Sequence, residues 1–337
     1  MTRPHSRDLL AFAGRNGPLM LFAGVLIGLI APPLAEAARP VLGLAVFVFT
    51  LGAFLKVDLA SFRKELERPA WIACVLAWTT FGVPLVMLGL VRLIQPEANL
   101  AQGMMLCMLA PPVGSAAAIA AMLGLSAPLS LLATVAATVL SPIYLPPLAS
   151  WLAGYQLHID PVAMTVRLIL IVGGACACAT LLRRYAGRFV AENPHAMTGV
   201  AVLGLILVAV GAMRGMRSYF LAHPQQVASY LALAFAVNAG FQVLGATLFA
   251  PAERLRALTV GLVSGNRNVT LAWAAMGASL MGQQQVELYL AASVFPIFML
   301  PALTRPVVAL LLRAEWPAPL VPGPVPSVVR PTGGSHG

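Results

Sequence analysis

The stretch SGNRN, Ser264 to Asn268, interrupts an apolar run that extends from about residue 257 to about residue 281. A membrane-crossing helix needs roughly 20 predominantly apolar residues, and nothing in that requirement calls for an arginine between two amides. A guanidinium at such depth is costly, and where it occurs it faces a protein interior or a watery path. Shifting the chain by 154 residues carries positions 264–268 onto 110–114, inside the sequence LAPPVGSAAA. Pro111 and Pro112 remove two backbone donors and crowd the preceding turn, so a helix has to open there. Each half of the chain therefore carries one interruption, at equivalent places.

The same offset lays SPIYLPP, from Ser141, on FPIFMLP, from Phe295. Pro142 meets Pro296, Ile143 meets Ile297, Tyr144 meets Phe298 and Pro147 meets Pro301; farther back, Pro40 meets Pro194 and Pro84 meets Asn238. Ten apolar segments are predicted, near 18–34, 40–57, 70–94, 101–122, 127–153, 162–182, 196–213, 226–249, 257–281 and 286–312. The offset spans five of them. A chain that crosses a bilayer five times begins its second half from the opposite face, so the halves 1–155 and 156–315 are expected to be inverted repeats. Inverted repeats with paired broken helices characterise many secondary transporters, whose sites lie at mid-membrane where the breaks meet.

Composition agrees with this class. Hydrophobic residues make up 60% of the 337 positions and charged residues 9%, which excludes an ordinary water-soluble domain. The segments lack the short alternation of barrel strands, so the expected fold is all-α. A net charge of +10 could suggest nucleic acid, but the basic residues are spread over short loops, and no nucleic-acid partner is expected. With a cytoplasmic N-terminus, fifteen Lys and Arg fall on the cytoplasmic side and five on the other, among them Arg39 and Arg167. This bias places both termini in the cytoplasm of a multi-pass protein in a bacterial inner membrane. The tail 316–337, rich in Pro and Gly, is expected to be disordered.

The opened backbone would supply free amides and carbonyls, and half-helix N-termini attract anions. All eleven acidic residues lie at or beyond the expected segment ends, so no carboxylate is placed to neutralise Arg267. An anionic ligand is the natural complement. The candidate substrate site comprises Pro112, Val113, Gly114, Ser115, Ser264, Gly265, Asn266, Arg267, Asn268 and Thr270, with Asn238 as a further lining residue. A plainer reading has Arg267 satisfied by carbonyls of the opened fourth segment.

Ten helices in two inverted repeats, a proline-glycine break in the fourth and a Gly-x-x-Asn break in the ninth, resemble the bile acid:sodium symporter family and its bacterial members. The likeness covers helices one to ten and is most specific at APPVGSAAA, LSLLATV and SGNRN. It implies broken helices that cross at the centre, a panel and a core that move against each other, and organic anions carried with sodium. Ser130 and Thr134 match hydroxyls that ligate sodium in the family, and Asn268 matches the amide that ends its ninth-helix motif. Ala116 and Ala117 stand where the family has a serine-asparagine pair, Val263 where it has a glutamate, and Arg267 where it has a glutamine.

The expected function is alternating-access transport of an organic anion, with the Arg267 guanidinium in the place of a coupling cation. The alternative is sodium-coupled symport through Ser130, Thr134 and backbone carbonyls, which makes Na+ the one possible cofactor. Arsenite efflux, a second alternative, wants a thiolate beside the fourth-helix break, where Val113 stands with Cys107 a turn away. An intramembrane hydrolase or receptor is disfavoured: no histidine or lysine lies deep in a segment to serve as a base, and no soluble domain follows.

Overall fold

The computed structural model describes residues 17–57, 59–152, 160–280 and 283–313. The expected tail 316–337 lies outside them. Helices account for the regular structure, and among the described residues there is no β-strand.

Along the chain, α1 (Gly17–Ile30) leads through α2 (Pro32–Ala38) into α3 (Leu42–Leu55), and α4 (Leu59–Leu66) precedes α5 (Pro69–Ala77) and α6 (Val83–Ile94), which are joined by one π-helical turn. Then follow α7 (Ala98–Leu109), α8 (Ala116–Met122) and α9 (Ala127–Leu152). The second half holds α10 (Pro161–Leu168) continuing into α11 (Gly174–Glu192), α12 (Pro194–Ala212), α13 (Met216–Ala222) and α14 (Pro224–Leu248). It closes with α15 (Arg254–Gly265), α16 (Val269–Met276), α17 (Gln284–Ala292) and α18 (Val294–Arg313).

Seven continuous helical stretches are long and apolar enough to cross a bilayer: Pro32–Leu55, Pro69–Ile94, Ala127–Trp151, Pro161–Glu192, Pro194–Ala212, Pro224–Leu248 and Gln284–Arg313. Each coincides with an expected segment. Of the remaining three expected segments, 18–34 holds the 14-residue α1, and 101–122 and 257–281 are broken. α7 stops at Leu109 because Pro111 and Pro112 cannot donate to the last carbonyls. α15 stops at Gly265, and α16 restarts under an N-cap by Asn268, whose Oδ1 accepts from Leu271 N–H at 3.2 Å.

Two bundles share the interior. In the first, α12 lies along α1 and α3, and α11 packs on α3. Small residues allow this close approach: a Cβ at Gly204 would sit 2.6 Å from the Ala45 carbonyl oxygen, and one at Gly52 would sit 2.6 Å from Ala201 Cβ. In the second, α14 lies along α15, α7 along α17, and α9 packs on α7, α8 and α15. The bundles touch where α10 meets α9 and α16, and where α16 meets α3.

Candidate functional site

The two breaks cross each other and exchange backbone hydrogen bonds. Val113 N–H donates to Asn266 O at 2.9 Å and Asn268 N–H donates to Pro111 O at 2.6 Å, around an antiparallel bridge between Pro112 and Arg267. Each non-helical strip thus satisfies part of the other, which is how opened backbone is tolerated inside a membrane protein. Gly114 turns this crossing toward the first bundle: a Cβ there would meet the Phe49 ring at 3.0 Å and Ala53 at 3.1 Å, both on α3. The crossing therefore sits beside the seam between bundles.

Arg267 is fully buried and forms no ion pair among the described residues. Its Nη2 donates to Thr79 O at 2.6 Å and to Met108 O at 3.0 Å, and Nη1 reaches Val263 O at 3.4 Å. Prolines free the two nearer acceptors. Met108 O would ordinarily take a donor three or four residues on, but those residues are Pro111 and Pro112. In the π turn Trp78–Gly82, Val83 N–H donates to Trp78 O, five residues back. The corresponding partner for Thr79 O is Pro84, which has no N–H. Three of the guanidinium's five donors are thereby used on carbonyls, as the plainer sequence reading anticipates for the fourth segment.

Three polar atoms at the crossing remain buried without a protein partner: Arg267 Nε, Asn266 Nδ2 and Ser115 Oγ. Two are pure donors and the third is a hydroxyl, so the unsatisfied chemistry here is donor-rich and suited to an anionic oxygen. Asn238 supports the crossing from α14, its Nδ2 donating to Gly265 O at 3.0 Å and to Asn266 Oδ1 at 3.1 Å. Gln242 Nε2 in turn donates to Asn238 Oδ1 at 2.6 Å.

The expected site residues thus come together, with different tasks. The Ser264 hydroxyl accepts from Trp78 Nε1 at 2.8 Å and donates to Val260 O at 2.7 Å, and Thr270 Oγ1 donates to Asn268 Oδ1 at 2.8 Å. These groups are occupied in holding the break. Ser130 and Thr134 sit one turn apart on α9, and both hydroxyls are buried without a partner; no hydrogen bond joins either to Asn268. Trp78, Thr79, Met108 and Gln242 are additions that side-chain reasoning missed. Pro84, at the position that the 154-residue offset pairs with Asn238, was the available signal.

Residues 41–223 match the family described as the Sodium Bile acid symporter family. The chain is also similar to a curated protein of Bacillus subtilis (strain 168) described as an uncharacterized sodium-dependent transporter, YocS. The two are 25% identical over 276 residues, which cover 80% of this chain and 84% of the relative.

Proposed function

The chain belongs to the Sodium Bile acid symporter family, and from that premise we propose that it carries a small or amphipathic organic anion by alternating access, with the Arg267 guanidinium standing in for a coupling cation at the crossing. The observation that carries the reading is the set of unpartnered donors at Arg267 Nε, Asn266 Nδ2 and Ser115 Oγ. The guanidinium among them has no carboxylate against it among the described residues.

The architecture in this reading is ten membrane segments in two inverted repeats, with both termini cytoplasmic. Helix limits support it: moved by 154 residues, Pro69–Ile94 becomes 223–248, against Pro224–Leu248, and Ala116–Met122 becomes 270–276, against Val269–Met276.

Sodium fits the two candidate positions unequally. Around Arg267, the carbonyls of Thr79, Met108 and Val263 already bind the guanidinium, and Val263 offers no side-chain oxygen, so an ion does not fit beside it. On α9, the unpartnered hydroxyls of Ser130 and Thr134 do suit a hard cation. That observation favours a second reading, sodium-coupled symport through α9, to which the sodium dependence named for the Bacillus relative lends weight.

Uptake of a 2-keto acid and of a steroid carboxylate into proteoliposomes separates the two. The first reading expects uptake by the parent that is unchanged when potassium replaces sodium, and abolished in Arg267→Gln. Strongly sodium-dependent uptake by the parent that Ser130→Ala removes would overturn it in favour of the second.

A further inference from the structure

Near the end of α3, α11 bends. Ala186 departs from helical geometry, with φ −127° and ψ 30°, and beside the bend a cavity of about 600 Å³ opens between the end of α3, α11 and the start of α12. Its walls are apolar at Leu55, Val190 and Met197, while Lys56 and Arg183 supply its charge. Arg183 Nη2 donates to Phe54 O at 3.1 Å, to Leu55 O at 2.9 Å and to Val57 O, so its cation caps the carbonyl end of α3 and offsets the partial negative charge there. The ammonium of Lys56, one residue past that helix, makes no hydrogen bond or ion pair among the described residues.

A cationic mouth over an apolar hollow at the end of a membrane bundle has one natural complement. We propose that this cavity holds the phosphate headgroup of an acidic phospholipid, with Lys56 pairing the phosphate and an acyl chain against Val190 and Met197. The setting supports a lipid over a free anion. Neighbouring side chains on the outer face of α11, Leu181, Leu182 and Phe189, are exposed as lipid-facing residues would be. The sequence also concentrates Arg184 and Arg188 on the same helix end.

Gly187 provides a clean test. It lines the cavity, and a Cβ there would meet nothing within 4 Å, so a side chain at this position has room to start into the space. The purified full chain in neutral detergent is titrated with phosphatidylglycerol, phosphatidylcholine or inorganic phosphate, and its thermal unfolding is followed. The expected result is an upward shift in Tm with phosphatidylglycerol alone. Gly187→Phe should abolish that shift and Lys56→Gln should weaken apparent affinity at least about tenfold, both variants unfolding like the parent in phosphatidylcholine. Equal shifts with both lipids, or a full shift in Gly187→Phe, would overturn the proposal. A matching shift with inorganic phosphate would overturn the assignment to a lipid. If Gly187→Phe does not fold, Lys56→Gln alone decides: undiminished affinity refutes the site.

Discussion

At the scale of single residues, Arg267 is held by acceptors that proline chemistry created. Removing the guanidinium leaves the carbonyls of Thr79 and Met108 buried and unpaired, each worth about 1–3 kcal/mol. Arg267→Met is therefore expected to lose roughly 2–5 kcal/mol of stability, seen as a lowered Tm in detergent, whereas Arg267→Lys, a point charge without the planar fork, should fall between. An unchanged Tm in Arg267→Met would show that the carbonyl contacts contribute nothing. The presence of a buried cation was legible in SGNRN, because arginine inside an apolar run is conspicuous. Its partners were not, because a backbone carbonyl leaves no mark in the sequence; the only trace was the proline whose missing N–H sets it free.

At the scale of elements, the breaks at 110–115 and 266–268 and the π turn act as one device, since each gives up helical hydrogen bonds that the others then satisfy. Pro84→Ala restores a donor to the π turn and gives Thr79 O a competing partner within its own helix. The protein should stay folded, with an unchanged helical CD signal, while uptake falls several-fold. Full uptake would deny the turn a role in holding Arg267. The crossing also depends on the closeness of α14 and α15. A Cβ at Gly265 would run into the Asn238 carbonyl and approach Gln242 Cγ to 2.7 Å, so Gly265→Ala should cost at least about 2 kcal/mol, read as a drop in Tm. The breaks were visible from Pro111-Pro112 and from the offset, and the helix ends fall within a few residues of expectation. The π turn was not visible, because a proline inside an apolar run predicts a disturbance without saying which carbonyl it releases.

At the scale of the molecule, the two bundles are joined at one end by arginines that the charge bias of the loops assigned to the side opposite the cytoplasm. Arg39, just before α3, pairs with Glu287 on α17 and lies over the Trp273 ring on α16, 5.4 Å from its centroid. Arg167 on α10 donates to the carbonyls of Ala275 and Met276 at 3.3 and 3.0 Å, capping the far end of α16. Arg39 thus links the first bundle to the second half of the broken ninth segment and to the start of the tenth, and Arg167 links it to the ninth, so alternating access would require these contacts to part. Arg39→Glu places two carboxylates face to face and should hold that end apart. In a background with the four native cysteines replaced, a cysteine at Ser115 should then react faster with a membrane-impermeant maleimide added from that side. The double exchange Arg39→Glu with Glu287→Arg should return labelling to the parent rate. Rescue separates a closure built on this pair from general loosening, because a merely destabilised protein would not recover when the charges are swapped, and labelling that ignores both changes would show that the bundles do not close here.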